Sequence, residues 1–151
     1  MQPAPGLSRQ QVDDLVSYLI GKPYMSPATG QLALPARPIV ACKASKECRA
    51  TVTRWAVAER LPVSALDGAR ITAVVGCLSC HRYAGSGVKS GSAPELTRVG
   101  LEQTTVAQHV KRLRCPACVR AGSVMPSYVA LGNANLRRIA VFLQASRGTR
   151  R

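Results

Sequence analysis

Cys77-Leu78-Ser79-Cys80-His81 sets two thiols three positions apart, with an imidazole beside the second. Thiols at that spacing can each add to one vinyl group of a single haem, and the adjoining histidine then lies under the ring to ligate the iron. The same five residues also fit a zinc knuckle flanked by a histidine, or a disulfide in a turn. An iron held by one histidine needs a second axial ligand, and thioether sulfur suits that position. Of the three methionines, Met1 is the first residue and Met25 sits among turn formers. Met125 is followed by Pro126, which pushes it out of helical geometry and into a loop where its side chain is free to face a ligand site.

Four more cysteines complicate this picture. Cys42 and Cys48 lie in a loop-like stretch, and Cys115-Pro116-Ala117-Cys118 is a second Cys-x-x-Cys with no histidine after it. Disulfides within each pair would suit an oxidising compartment. Cys77, Cys80, Cys115 and Cys118 could instead form a four-thiolate zinc site, the basis of an alternative reading as a zinc-ribbon-like module that binds nucleic acid. Against it, all of residues 81–114 separate the two pairs, well beyond the usual ~15–20 residues. A reading as a thiol-redox protein acting through Cys115 and Cys118 lacks the strand–helix context such motifs need, and a low-pKa redox pair there requires a structural setting that the sequence does not show.

The elements that would position these residues read as helices. Ser64 with Asp67 resembles a capping box and opens a helix over about 65–75 that stops at Gly76. Thr105 with Gln108 makes a second capping box, and Val106, Val110 and Leu113 then share one face. Asn133 caps a closing helix to about Ala145, with Leu136, Ile139, Ala140 and Leu143 as its apolar stripe. Phe142 widens that stripe. His109 flanks the Val106/Val110/Leu113 stripe and reads as a boundary residue rather than a ligand.

From about Val63 to Gly148 these parts, in this order, resemble a class I c-type cytochrome domain with a single haem. The matching features are Gly68 ahead of Cys77, the Cys77–His81 site, Ala93-Pro94-Glu95-Leu96 before Val99-Gly100, the Met125-Pro126 pair and the closing helix. The resemblance implies an all-α fold of three to five helices around one covalent haem c, with His81 and Met125 as axial iron ligands. It also implies that the Pro94 carbonyl accepts a hydrogen bond from the second ring nitrogen of His81, which fixes the ring. Phe142 would cover Gly68 where the two terminal helices cross.

Composition sets further bounds. The chain has 151 residues, and aromatics make up only 4%, a shortage of large core-forming side chains that a haem would fill. No apolar run approaches the ~20 residues of a membrane span. Lys and Arg number 21 against 7 Asp and Glu, a net charge of +14. Such a field suits an acidic docking surface on a redox partner, an anionic membrane surface or nucleic acid, and nucleic acid is not favoured. Arg112, Arg114 and Arg120 precede the methionine loop, and Arg137, Arg138, Arg147, Arg150 and Arg151 follow it.

The expected organisation is an amphipathic helix within residues 1–22, a Pro/Gly-punctuated irregular linker over 23–62, and the haem domain over 63–151. Val12, Leu15, Val16 and Leu19 form the first helix's stripe, which resembles the end of an upstream cytochrome c domain. Trp55, in a segment of undecided helix or strand character, is expected to pack onto the domain. Thioether attachment implies maturation outside the cytoplasm, in the periplasm or on the outer face of a bacterial membrane. The first residues lack a basic n-region and an apolar h-region, so a truncated or misassigned start is expected. With both axial positions filled no site is left for a substrate, and the function expected is one-electron transfer rather than catalysis. The chain would act as a carrier or as the cytochrome subunit of a respiratory or redox complex, a membrane-bound complex included.

Overall fold

The computed structural model describes residues 34–88, 93–102 and 104–148. The first-helix reading over 1–22, Met1 and Met25 lie outside the described residues. What is described is mostly helical: α1 (Pro38–Ala44), α2 (Lys46–Ala58), α3 (Leu66–Val74), α4 (Val106–Arg114), the short α5 (Pro116–Val119) and α6 (Gly132–Ala145). Arg82–Tyr83 (β1) and Ser86–Gly87 (β2) form a minimal antiparallel hairpin, with Tyr83 opposite Ser86. Short 3-10 turns occupy Val63–Ala65, Cys77–Ser79, Val99–Leu101 and Val129–Leu131.

The irregular linker expected over 23–62 is corrected where it is described, because residues 38–58 are two helices. Pro38 begins α1 at a position where its missing N–H costs nothing. Ser45 then turns extended, and its hydroxyl accepts from the Cys48 N–H at 3.1 Å to cap α2. The Cys42–Cys48 disulfide staples the two helices across that break, and both cysteines are buried in the core. Trp55 is helical and fully buried. Its indole N–H donates to Ser86 Oγ at 3.0 Å, and its ring meets Tyr83 edge-on with centroids 4.9 Å apart. Tyr83 in turn lies 4.8 Å from Phe142, so one aromatic trio joins α2, the hairpin and α6.

The central packing is α3 against α6. Ile71, Leu136, Ile139 and Phe142 are essentially without solvent exposure, and Leu143 and Ala140 complete the α6 stripe. Both capping-box bonds of α4 are present between Thr105 and Gln108. Two expected caps are corrected. Ser64 sits inside the 3-10 turn that leads into α3, without a capping bond, and Asp67 pairs with Arg70 at 2.6 Å instead. Asn133 lies within α6, whose preceding residue Leu131 makes no side-chain cap. In both places a 3-10 turn feeds the helix and supplies the backbone bonds that a side-chain cap would otherwise make.

A candidate thiol and imidazole site

Gly76 ends the α3 segment in the left-handed conformation (φ 85°), which a residue without Cβ adopts at little cost. The chain then coils tightly enough for Cys80 N–H and His81 N–H both to donate to the Cys77 carbonyl, at 3.3 and 2.9 Å. Both thiols and the imidazole therefore belong to one turn. The hairpin clamps this turn from the other side, where Val88 N–H donates to Leu78 O at 3.1 Å. The approach is close enough that a Cβ on Gly87 would stand 2.3 Å from the His81 carbonyl oxygen.

Cys77 is buried and Cys80 exposed. Burial pushes the Cys77 thiol up to about 11, with a hydrogen bond from the Tyr128 hydroxyl acting the other way. His81 is half-buried, and its Nδ1 lies 2.7 Å from the Pro94 carbonyl oxygen. A carbonyl oxygen only accepts, so Nδ1 carries a hydrogen, and in the neutral ring Nε2 is the nitrogen with the free lone pair. The segment bearing Pro94 is anchored beside it, since Leu96 N–H donates to Arg82 O at 2.8 Å and Ala84 N–H to Thr97 Oγ1 at 2.9 Å.

Met125 is half-buried and packs against the hydrophobic core. Its N–H donates to Ser123 Oγ at 3.3 Å. The loop closes at its base, where Ser127 Oγ donates to Arg114 O at 2.6 Å and Tyr128 N–H to Leu113 O at 2.9 Å. Tyr128, three residues beyond Met125, reaches the Cys77 sulfur with its hydroxyl, and burial holds that phenol far above its ordinary range. Cys77, Cys80, His81 and Pro94 are thus gathered directly, and the Met125 loop is tied to them through Tyr128. Sequence reasoning missed Tyr128, because nothing local marks an aromatic hydroxyl that meets a thiol from a distant helix turn.

The remaining cysteines are consumed in pairs, as Cys42–Cys48 and Cys115–Cys118. Cys77 and Cys80 are the free thiols. Cys115 and Cys118, bonded to each other, are not available as thiolate ligands for the four-cysteine zinc arrangement. Among the described residues no group of three or more His, Cys, Asp or Glu side chains gathers around a metal-sized position. His109 is buried rather than at a boundary, with Nε2 2.8 Å from Thr104 Oγ1. A separate cleft of about 530 Å³ lies between α4 and α6, lined by Val106, Val110, Arg114, Asn133 and Arg137 among others, and shares no residue with the thiol turn.

Comparison with protein-family models, with curated proteins and with solved structures returns no match for this chain.

Proposed function

We propose that the chain carries one covalently attached c-type haem and transfers single electrons, with Cys77 and Cys80 as thioether anchors and His81 and Met125 as iron ligands. The observation that carries this reading is the state of the His81 turn. Of three cysteine pairs, the one followed by a histidine keeps its thiols, and that histidine has its Nδ1 engaged by a carbonyl. An Nδ1–H bond to a backbone carbonyl orients the ring and, in its neutral form, leaves Nε2 as the ligating nitrogen, the arrangement found behind metal-ligating histidines. The donor set fits the group, with soft sulfur for the vinyl carbons and an imidazole and a thioether for the iron.

When bound, the haem would supply a reversible one-electron couple at an iron with no vacant position. The chain's own part is to hold it. The Cys77–Ser79 turn fixes the anchoring sulfurs, Pro94 orients His81, and the loop closed by Ser127 and Tyr128 presents Met125. The small cytochrome c fold, one haem and an extracytoplasmic location belong to the same proposal, and two disulfides are in keeping with an oxidising compartment. The net charge of +14 favours a partner with an acidic docking surface, met freely or within a redox complex.

Axial ligation gives the test. The oxidised protein is expected to show a weak sulfur-to-iron band in the near infrared. Met125→Ala should abolish that band and open one coordination position to small ligands, whereas Met25→Ala should do neither. An unchanged band in Met125→Ala would remove Met125 from the ligand set.

A further inference from the structure

The two disulfides sit in opposite environments. Cys42 and Cys48 are 0% and 8% exposed and belong to the hydrophobic core. Cys118 is exposed and lies within the one-turn helix α5, and Cys115, the residue just before that helix, is half-buried. A reductant can reach the Cys118 sulfur in the folded protein, whereas the Cys42–Cys48 bond is covered until α1 and α2 come away from the core.

Cys115–Cys118 also lies inside the methionine loop. Arg114 and Ser127 close that loop at its base through the 2.6 Å bond from Ser127 Oγ to the Arg114 carbonyl. Between them, α5 is the ordered piece, held by Cys118 N–H to Cys115 O at 3.1 Å and Arg120 N–H to Pro116 O at 2.9 Å. The next turn is set from α5, with Ser123 N–H donating to Arg120 O at 3.1 Å and Met125 N–H to Ser123 Oγ at 3.3 Å. A four-residue helix is far too short to persist by itself, so the cross-link and the buried Pro116 hold it in place. Lys111, Arg112, Arg114 and Arg120 flank the pair in sequence, and positive charge stabilises a departing thiolate.

We infer that Cys115–Cys118 is a reversible thiol-redox site, opened in the folded protein by an external dithiol, and that its state sets how firmly the loop presents Met125. The iron-facing half of this inference rests on the haem reading above. The exchange balances with a dithiol as the reductant. One reductant thiolate attacks Cys118 Sγ, the Cys115–Cys118 bond breaks, and Cys115 leaves and takes a proton. The second reductant thiol then closes the reductant's own disulfide and releases Cys118 as a thiol, so two electrons and two protons pass to the protein.

The test is graded dithiothreitol treatment of the full chain, read by differential alkylation and amide hydrogen exchange. Neither readout needs a haem. Cys115 and Cys118 should become alkylated at a dithiothreitol concentration that leaves Cys42 and Cys48 protected. Exchange at Ser123, Met125 and Tyr128, whose amides are hydrogen-bonded, should then accelerate about fivefold to twentyfold, the scale expected for releasing a very short cross-linked loop. The double variant Cys115→Ser/Cys118→Ser should show the same acceleration without reductant. In the haem-bearing protein held oxidised, without reductant, the double variant should bind added imidazole more tightly than the parent chain by a similar factor, as Met125 is displaced more readily. Simultaneous opening of both disulfides, or loop exchange unchanged by reduction, would overturn the redox-site claim. Unchanged imidazole affinity in protein whose near-infrared band shows Met125 ligation would overturn the link to the iron. A missing band with accelerated loop exchange would count against the haem reading and leave the redox site standing.

Discussion

Gly68 lies directly beneath Phe142. A Cβ built on Gly68 would stand 2.6 Å from Phe142 Cβ and 2.1 Å from the Arg138 carbonyl oxygen. Helices α3 and α6 therefore cross at backbone contact, and the Phe142 ring spreads over the gap toward Tyr83 and Trp55.

The expected outcome of Gly68→Ala is a loss of about 3 kcal/mol, the upper end for overpacking, read by urea denaturation. Phe142→Ala should cost about 3–5 kcal/mol through the cavity it leaves. Because the closest obstacle to a Cβ is the Arg138 backbone oxygen, combining the two should not rescue Gly68→Ala. Recovery of stability in the double variant would show that the ring alone sets the helix separation.

His109 supplies a pH signature. Burial lowers its pKa below the ordinary 6.5, and the Arg112 charge adds to the shift. The folded state thus favours neutral imidazole, while the unfolded chain takes up a proton near 6.5. Stability should be level in this respect above pH 6.5 and fall as pH drops from 6.5 toward the lowered folded value, with a slope of at most about 1.4 kcal/mol per pH unit. Urea midpoints across that range should show the fall, and His109→Gln should flatten it. A slope that persists in the variant would assign it to other groups.

Docking gives a kinetic expectation. If the positive field steers a redox partner, association should slow steeply with added salt, because at ~0.15 M the screening length is only ~8 Å. Neutralising Arg112 and Arg114 on α4 together with Arg120 in the methionine loop should lower the on-rate more than neutralising Arg147, Arg150 and Arg151. Stopped-flow mixing with an acidic redox protein measures both. Equal effects of the two sets would leave only a diffuse field, and no salt dependence would point to a tethered complex.

What was legible in the sequence was local. Thr105 and Gln108 are three residues apart, and a capping box needs nothing beyond that spacing. The Leu136/Ile139/Leu143 stripe reads directly from helical periodicity. Residues 38–58 were harder. Prolines at 35 and 38 read as linker punctuation, yet Pro38 is the first residue of a helix, and Ser45 is a cap between two helices. Helix α2 buries Cys48, Val52 and Trp55 at i, i+4 and i+7, but the β-branched Thr51, Val52, Thr53 and Val57 among them suit a strand as well, which leaves the segment undecided by pattern. His109 shares a face with Leu113, and whether such a histidine is buried depends on a partner for its ring, here Thr104 from just before the cap. The meeting of Tyr128 with Cys77 is purely tertiary and leaves no trace in spacing.

The central claim is a covalent haem on Cys77 and Cys80, and its most direct measurement is intact-protein mass after acid–organic extraction of the chain matured in a cytochrome-exporting host. The account predicts that colour and iron stay with the protein and that its mass exceeds that of the polypeptide by one haem. Cys77→Ala with Cys80→Ala should lose all of this. Extraction that strips the colour, or a chain at bare polypeptide mass carrying zinc and no iron, would contradict it.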